Sequence, residues 1–247
     1  PKETLDLGFD VVLRGEGEIS IVELARAVQV ASASSPRQPN HLIWKNVHGA
    51  AFKSVADPTS ITETDPAPPI ILDEHLPYCD NPTMHPPFEI MRGCSHGCLY
   101  CQTPRLGASS RRAVRYRSLE NIEKIVAEYC KRFPAPVDLR VIAPNALSYQ
   151  STDGKTPNIP ALKSLVGIGR KYGAKLFLGS FPIEVRPDFV TPETVGILKD
   201  CDSPVVAIGV QAGSDSELKR MGRGHTIKQA QLAIELLRAG VLVPYVD

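Results

Sequence analysis

The sequence predicts an α/β fold: a parallel sheet alternating with helices over residues 87–247, preceded by the closing piece of another α/β unit at residues 1–30 and a proline-rich connector at residues 31–86. Three observations point there. From Pro87 onward, short β-rich runs alternate strictly with stretches of helical period, which implies right-handed crossovers in a parallel sheet, either open or curled into part of a βα barrel. Eight of the 22 prolines fall between Pro58 and Pro87, a density that opposes regular structure. The opening thirty residues hold a single strand-like run and a single helical run, too little for a complete α/β domain.

In chain order, residues 9–13 read as a strand, Arg14-Gly15-Glu16-Gly17-Glu18 as a turn, and residues 20–30 as a helix with Ile21, Leu24, Ala25 and Val28 on its apolar face. Within the connector, Ile43-Trp44 and Ala50-Ala51-Phe52 are the candidates for a hairpin, and the remainder reads as extended chain. The strands expected after it are residues 88–92, 137–142, 175–179, 205–210 and 241–246. The helices expected between them are residues 119–132, 159–172, 191–199 and 227–239. Ser118 and Thr191 are suited to cap helix starts, the latter with Pro192 at the first helical position. Gly173 and Gly240 are suited to the left-handed residue that ends a helix.

Composition narrows the function classes. Twenty-eight Lys and Arg stand against 27 Asp and Glu, a net charge of +1, which removes the strongly basic footprint of a chain built to hold nucleic acid and leaves only local patches. No apolar run approaches eighteen residues and no secretory leader is visible, so no membrane contact is expected and the expected compartment is the cytoplasm. Opening on Pro1 and stopping at Asp247 inside an apolar run, the chain reads as a fragment lacking the last βα unit.

Six cysteines are too few for a disulfide scaffold, but three of them form the loop Gly93-Cys94-Ser95-His96-Gly97-Cys98-Leu99-Tyr100-Cys101 directly after the first strand of the alternating region. Three thiolates on one glycine-flanked loop are soft ligands, suited to zinc or an iron-sulfur cluster rather than a hard cation. Zinc needs a fourth ligand, which His96 or a distant Cys would supply, and a zinc-stabilised binding module is the non-enzyme alternative. A 4Fe-4S cluster with three protein thiolates leaves one iron open for a substrate or cofactor.

The C-x-x-x-C-x-x-C spacing, with Tyr100 as the aromatic before the last Cys, resembles that of the radical S-adenosylmethionine (SAM) enzymes. The resemblance implies a partial (βα)6 barrel, a 4Fe-4S cluster on Cys94, Cys98 and Cys101, SAM on the open iron, and reductive cleavage to a 5'-deoxyadenosyl radical. It extends to later residues. Glu184 in Phe181-Pro182-Ile183-Glu184 matches a carboxylate that meets the SAM amino group, and Gln211 in Val210-Gln211-Ala212-Gly213 a polar contact on the ribose side. Arg223 matches an arginine that reaches the SAM carboxylate, and Asp247 an acidic residue at the end of the fifth strand. Pro144-Asn145-Ala146 stands where many members have a glycine-rich turn, so Asn145 and Ser148 are expected to replace it through side-chain hydrogen bonds.

Arg14-Gly15-Glu16-Gly17-Glu18 resembles the end of the Rossmann-like cobalamin-binding domain that precedes the barrel in one subgroup. Cobalamin is accordingly expected only with a longer protein, where methyl transfer or related C–H functionalisation follows; a methylthiotransferase-like or other cobalamin-free reaction is the alternative. An electron donor such as flavodoxin or ferredoxin is implied, with a small molecule or peptide as substrate. Arg105, Arg111, Arg112, Arg115 and Arg117 read as a solvated basic loop, and Cys79, Cys130 and Cys201 as ordinary thiols.

Overall fold

The computed structural model describes residues 1–34, 43–54, 56–78, 86–101, 114–179 and 182–247. The chain divides into two compact units, the first formed by Pro1–Ile71 and the second by the described residues from Leu72 onward.

The first unit contains helices α1 (Lys2–Asp6) and α2 (Gly17–Ser34) and strands β1 (Val12–Leu13), β2 (Ala50–Lys53) and β3 (Ile61–Glu63). The strands form one antiparallel sheet in the order β1-β2-β3, with Leu13 opposite Ala50 and Lys53 opposite Ile61. This corrects the expected connector. Ala50-Ala51-Phe52 does lie in a hairpin, but its partner is residues 61–63, whereas Trp44 lies in a helical turn and packs edge-on against Phe52 at 5.6 Å. The prolines stand outside the paired residues, so a high average proline content did not prevent a ladder only three or four residues long. Arg14 reaches across to Glu63 at 2.5 Å and to the Thr64 carbonyl at 2.6 Å, and Glu16 accepts from the Ile70 amide at 3.3 Å. The Gly-Glu-Gly-Glu turn therefore secures residues 63–70, and the boundary between the units falls within the proline-rich stretch.

The second unit has β4 (Phe88–Glu89), β5 (Met91–Arg92), β6 (Arg115–Tyr116), α3 (Leu119–Arg132), β7 (Asp138–Ile142), α4 (Ile159–Lys171), β8 (Lys175–Phe177), β9 (Ile183–Val185), α5 (Pro192–Lys199), β10 (Val205–Ile208), α6 (Asp215–Arg220), α7 (Ile227–Ala239) and β11 (Val243–Val246). Two three-stranded parallel sheets, β4-β7-β8 and β9-β10-β11, follow one another along the chain. The expected third strand is observed as the shorter β8, which completes the first sheet, and an unexpected strand, β9, begins the second. Between them Gly179 takes φ +146°, and a Cβ there would stand 3.2 Å from the Pro182 carbonyl oxygen. The expected first strand is also divided, because β4 pairs with β7 while β5 turns away to pair antiparallel with β6.

Period-two burial sorts the two faces of the strands. Leu139, Val141, Ile183, Val185, Val206 and Ile208 are buried in the core with Ile125, Leu162, Leu198 and Leu237 of the helices. The opposite face carries Arg140 beside Phe177, and Glu184, Ala207 and Tyr245 in one register row. Helix starts follow the expected chemistry: Ser118 accepts from the Asn121 amide, and Thr191 with Thr194 forms a reciprocal cap. Gly173 takes the left-handed cap at φ +64°, but Gly240 does not. Val241 is the left-handed residue there, at φ +62°, and glycine is needed at 240 because a Cβ would lie 2.4 Å from Val195 Cγ1. Close helix packing, not a turn, explains that glycine.

Among the described residues no helix is long and apolar enough to cross a membrane.

Candidate functional site

The cysteine loop leaves β5 through Gly93, at φ +89°, and is pinned from several directions. Arg92 forks onto Glu89 at 2.9 and 2.6 Å and so braces the strand pair from which the loop departs. Ser95 Oγ donates to the Gly154 carbonyl at 2.9 Å, and the Leu99 amide donates to the Met221 carbonyl at 2.9 Å. The His96 ring stands edge-on to Phe189, 5.8 Å between centroids. A tight turn, Cys101 amide to Cys98 carbonyl at 3.2 Å, brings the last two cysteines together. Two glycines permit this packing. At Gly222 (φ +68°) a Cβ would stand 3.0 Å from the Gly97 carbonyl oxygen, and at Gly154 (φ +67°) it would stand 2.4 Å from Ser95 Cβ.

That geometry gives opposite expected results for two glycine substitutions. Gly154→Ala combines left-handed strain with a clash against the cysteine loop, and lowers stability by more than about 1 kcal/mol. Gly167→Ala, in the interior of α4 with open space around it, raises stability by about 0.5–1 kcal/mol. Chemical denaturation of both proteins checks the pair, and a neutral Gly154→Ala would show that the loop is not seated on residue 154.

Cys98 is buried, and its sulfur receives two guanidiniums: Arg223 Nη1 at 3.5 Å and Arg186 Nη1 at 3.8 Å. Arg223 Nη1 also donates to the Tyr100 hydroxyl at 2.9 Å, and Nη2 donates to the Gly209 carbonyl; its Nε is buried without a partner. A side chain at residue 209 would crowd Arg223 Nη2 and Gln211 Nε2, at 3.2 and 3.3 Å. Arg186 forks onto Asp188 at 3.0 and 3.1 Å and donates to the Arg223 carbonyl at 2.6 Å. Burial, reinforced by Arg186, pushes the His96 pKa down to about 4, so its ring is neutral near pH 7. Burial likewise holds the Cys94 thiol above its ordinary pKa, the neighbouring Cys98 and Cys101 adding to the rise and Arg186 opposing it.

The other expected residues lie in or just after the strands of the second unit. Gln211, at φ +73°, follows β10; its amide donates to the Asp247 carbonyl at 2.8 Å and its Nε2 to Asp247 Oδ2 at 3.4 Å, which brings these two together. Glu184 comes after β8, in the middle of the unexpected strand β9, exposed on the face away from the core. Asn145 follows β7 and is 2% exposed, yet neither atom of its amide has a hydrogen-bond partner. A buried amide without partners is costly, and a bound group would satisfy it.

Arg117 corrects the reading of a solvated basic loop. It is buried, with its guanidinium spread over the Glu89 carbonyl at 2.8 Å, Asn121 Oδ1 at 2.6 Å and the His75 carbonyl at 3.0 Å, and so ties strand to helix. Arg105, Arg111 and Arg112 lie outside the described residues, as does Cys79. Cys201 is a core thiol whose pKa burial pushes up to about 12, donating to the Ile197 carbonyl. Arg186, Asp188 and Gly209 are the site residues that sequence reasoning missed; Arg186 lies two positions after Glu184, the spacing that puts alternate strand residues on one face.

Among the described residues no three His, Cys, Asp or Glu side chains converge on the position of a single ion. In a cubane cluster three thiolates bind three different irons, whereas a structural zinc draws four ligands onto one ion.

The family model described as the radical SAM superfamily matches residues 88–243. The tRNA-2-methylthio-N(6)-dimethylallyladenosine synthase of Cronobacter sakazakii is 30% identical over 168 residues, covering 66% of this chain and 32% of that protein. The ribosomal protein uS12 methylthiotransferase RimO of Caldanaerobacter subterraneus is 28% identical over 176 residues, covering 70% and 38%. The chain thus spans about a third of the length of these curated relatives. Among solved structures, the cobalamin-dependent SAM radical enzyme OxsB with aqua-cobalamin bound aligns with all of this chain and 34% of its own, at TM-score 0.69 and 17% identity. The radical SAM methyltransferase TsrM of Kitasatospora setae, with tryptophan and a SAM analogue bound, aligns with 98% of this chain and 46% of its own, at TM-score 0.63 and 13% identity.

Proposed function

Because the chain belongs to the radical SAM superfamily, whose members use a 4Fe-4S cluster and SAM, we propose that Cys94, Cys98 and Cys101 hold the cluster and that SAM binds among the strand ends beside it. The observation that carries this reading is the pinned three-thiol loop with two guanidiniums on Cys98. When bound and reduced, such a cluster supplies the electron that splits the SAM sulfonium into methionine and a 5'-deoxyadenosyl radical. The chain's own residues bind and orient. Glu184 takes the SAM ammonium, and among the described residues it has no ion-pair partner to displace. Arg223, whose Nε is buried without a hydrogen-bond partner, takes the carboxylate. Asn145 offers a buried amide in place of a glycine-rich turn, and Gln211 with Asp247 offers polar groups to the ribose side. Tyr100, held by Arg223, lies beside the cluster cysteines.

For the whole protein the reading is a cobalamin-associated radical SAM enzyme that transfers a methyl group or functionalises a C–H bond in a small molecule or peptide. It is supported by the fold match running through residues 1–87 as well as through the barrel. Residues 1–30 are read as the end of a cobalamin-binding-like domain and residues 87–247 as the barrel. Arg14 and Glu16 of the Gly-Glu-Gly-Glu turn are engaged with residues 63–70. A methylthiotransferase is the second reading, favoured by the sequence identity to two such enzymes. A reductant of the flavodoxin or ferredoxin kind serves either.

The test is anaerobic reconstitution with iron and sulfide, followed by reduction in the presence of SAM. A brown protein with about four irons that releases 5'-deoxyadenosine or S-adenosylhomocysteine is the expected result. A colourless protein holding one zinc would remove the assignment.

A further inference from the structure

Arg186 is 6% exposed and uses its whole guanidinium: a fork to Asp188, a bond to the Arg223 backbone carbonyl, and a contact to Cys98 Sγ. Pro187, the next residue, begins the short turn Pro187–Phe189 that presents Asp188 back to it. Among the described residues, two buried guanidiniums therefore meet one carboxylate around Cys98, an excess of positive charge that is expensive in a low-dielectric site unless an anion is placed against it. A 4Fe-4S core held by three thiolates carries net negative charge, and one more negative charge when reduced.

From this we propose that Arg186, held in place by Asp188, tunes the reduction potential of the cluster through Cys98. The inference rests on the assignment of a cluster to Cys94, Cys98 and Cys101. Positive charge and N–H donors at a ligating sulfur favour the electron-rich state and so raise the potential. Asp188 acts in two ways: it fixes the guanidinium and offsets part of its charge. Arg186 is a positioning and tuning residue in this scheme, while SAM is handled by other side chains.

The two members of the pair then act with opposite sign, which a purely structural role would not produce. In the reconstituted protein, titrated with dithionite and followed by electron paramagnetic resonance, Arg186→Gln makes the ratio of reduced to oxidised cluster at fixed potential fall about tenfold, a midpoint lower by about 60 mV for one electron. Asp188→Asn moves the midpoint upward, because the carboxylate charge is lost while a hydrogen-bonding group remains. Unshifted midpoints in both loaded variants, or shifts in the same direction, overturn the proposal. Should Arg186→Gln fail to retain iron, Asp188→Asn decides alone: an upward shift supports the tuning and an unchanged midpoint overturns it. A wild-type protein that takes up no 4Fe-4S cluster sinks the functional reading itself, and the tuning with it.

Discussion

Cys98→Ala is expected to abolish the iron-sulfur chromophore and to reduce SAM cleavage by about a thousandfold or more, because electron delivery to the sulfonium has no second route in such a site. Cys98 is the strongest choice among the three cysteines. It is the buried one, and both guanidiniums point at its sulfur. Removing that sulfur does more than delete a ligand: Arg186 and Arg223 then face each other with Asp188 as the nearest counter-charge, so the loop loses the group that balances them. Cys201→Ala provides the control, since that thiol lies in the core against a helix carbonyl. Iron analysis and product chromatography on both variants check the pair. Full cleavage by Cys98→Ala, or iron loss from Cys201→Ala, would contradict the assignment.

The second large effect is on stability. Phe189→Ala should cost about 3–5 kcal/mol in chemical denaturation of the apoprotein, the range for a fully buried aromatic truncated in a packed core. Phe189 is 0% exposed, belongs to the main core, and presents its ring to His96 within the cysteine loop. It is thus a direct link between the hydrophobic interior and the ligand-bearing segment. Truncation should slow or lower iron uptake as well as weaken the fold, whereas Phe189→Leu retains most of the volume and recovers much of both. A loss below about 1 kcal/mol would mean that the ring is not packed as described.

How much of this was legible before any coordinates depended on sequence separation. The cysteine loop was readable because its ligands lie within eight residues, and the helices because capping chemistry is local. The two arginines on Cys98 were not readable as its partners: they lie 88 and 125 residues away, and only the sheet topology brings them together. Strand β9 was hidden because three residues between Pro182 and Pro187 give too little period to register. Arg117 was misread from its company: a cluster of arginines suggests solvent, but three acceptors around a buried guanidinium satisfy it equally well. The connector hairpin was misassigned for the same reason as β9, since its ladder is shorter than the window over which composition is averaged. At Gly240 a turn was inferred where close packing against Val195 was the cause.

The break at Gly179 divides the labour of the site. The residues before it include the three cysteines and Asn145; those after it include Glu184, Arg186, Gln211, Arg223 and Asp247. Thiols and their guanidinium partners are consequently made by separate halves and meet only along a seam, stitched by the Leu99–Met221 bond and the two contacts to Cys98. A chain cut after residue 179 would therefore keep all three thiols of the loop and lose both guanidiniums that contact Cys98.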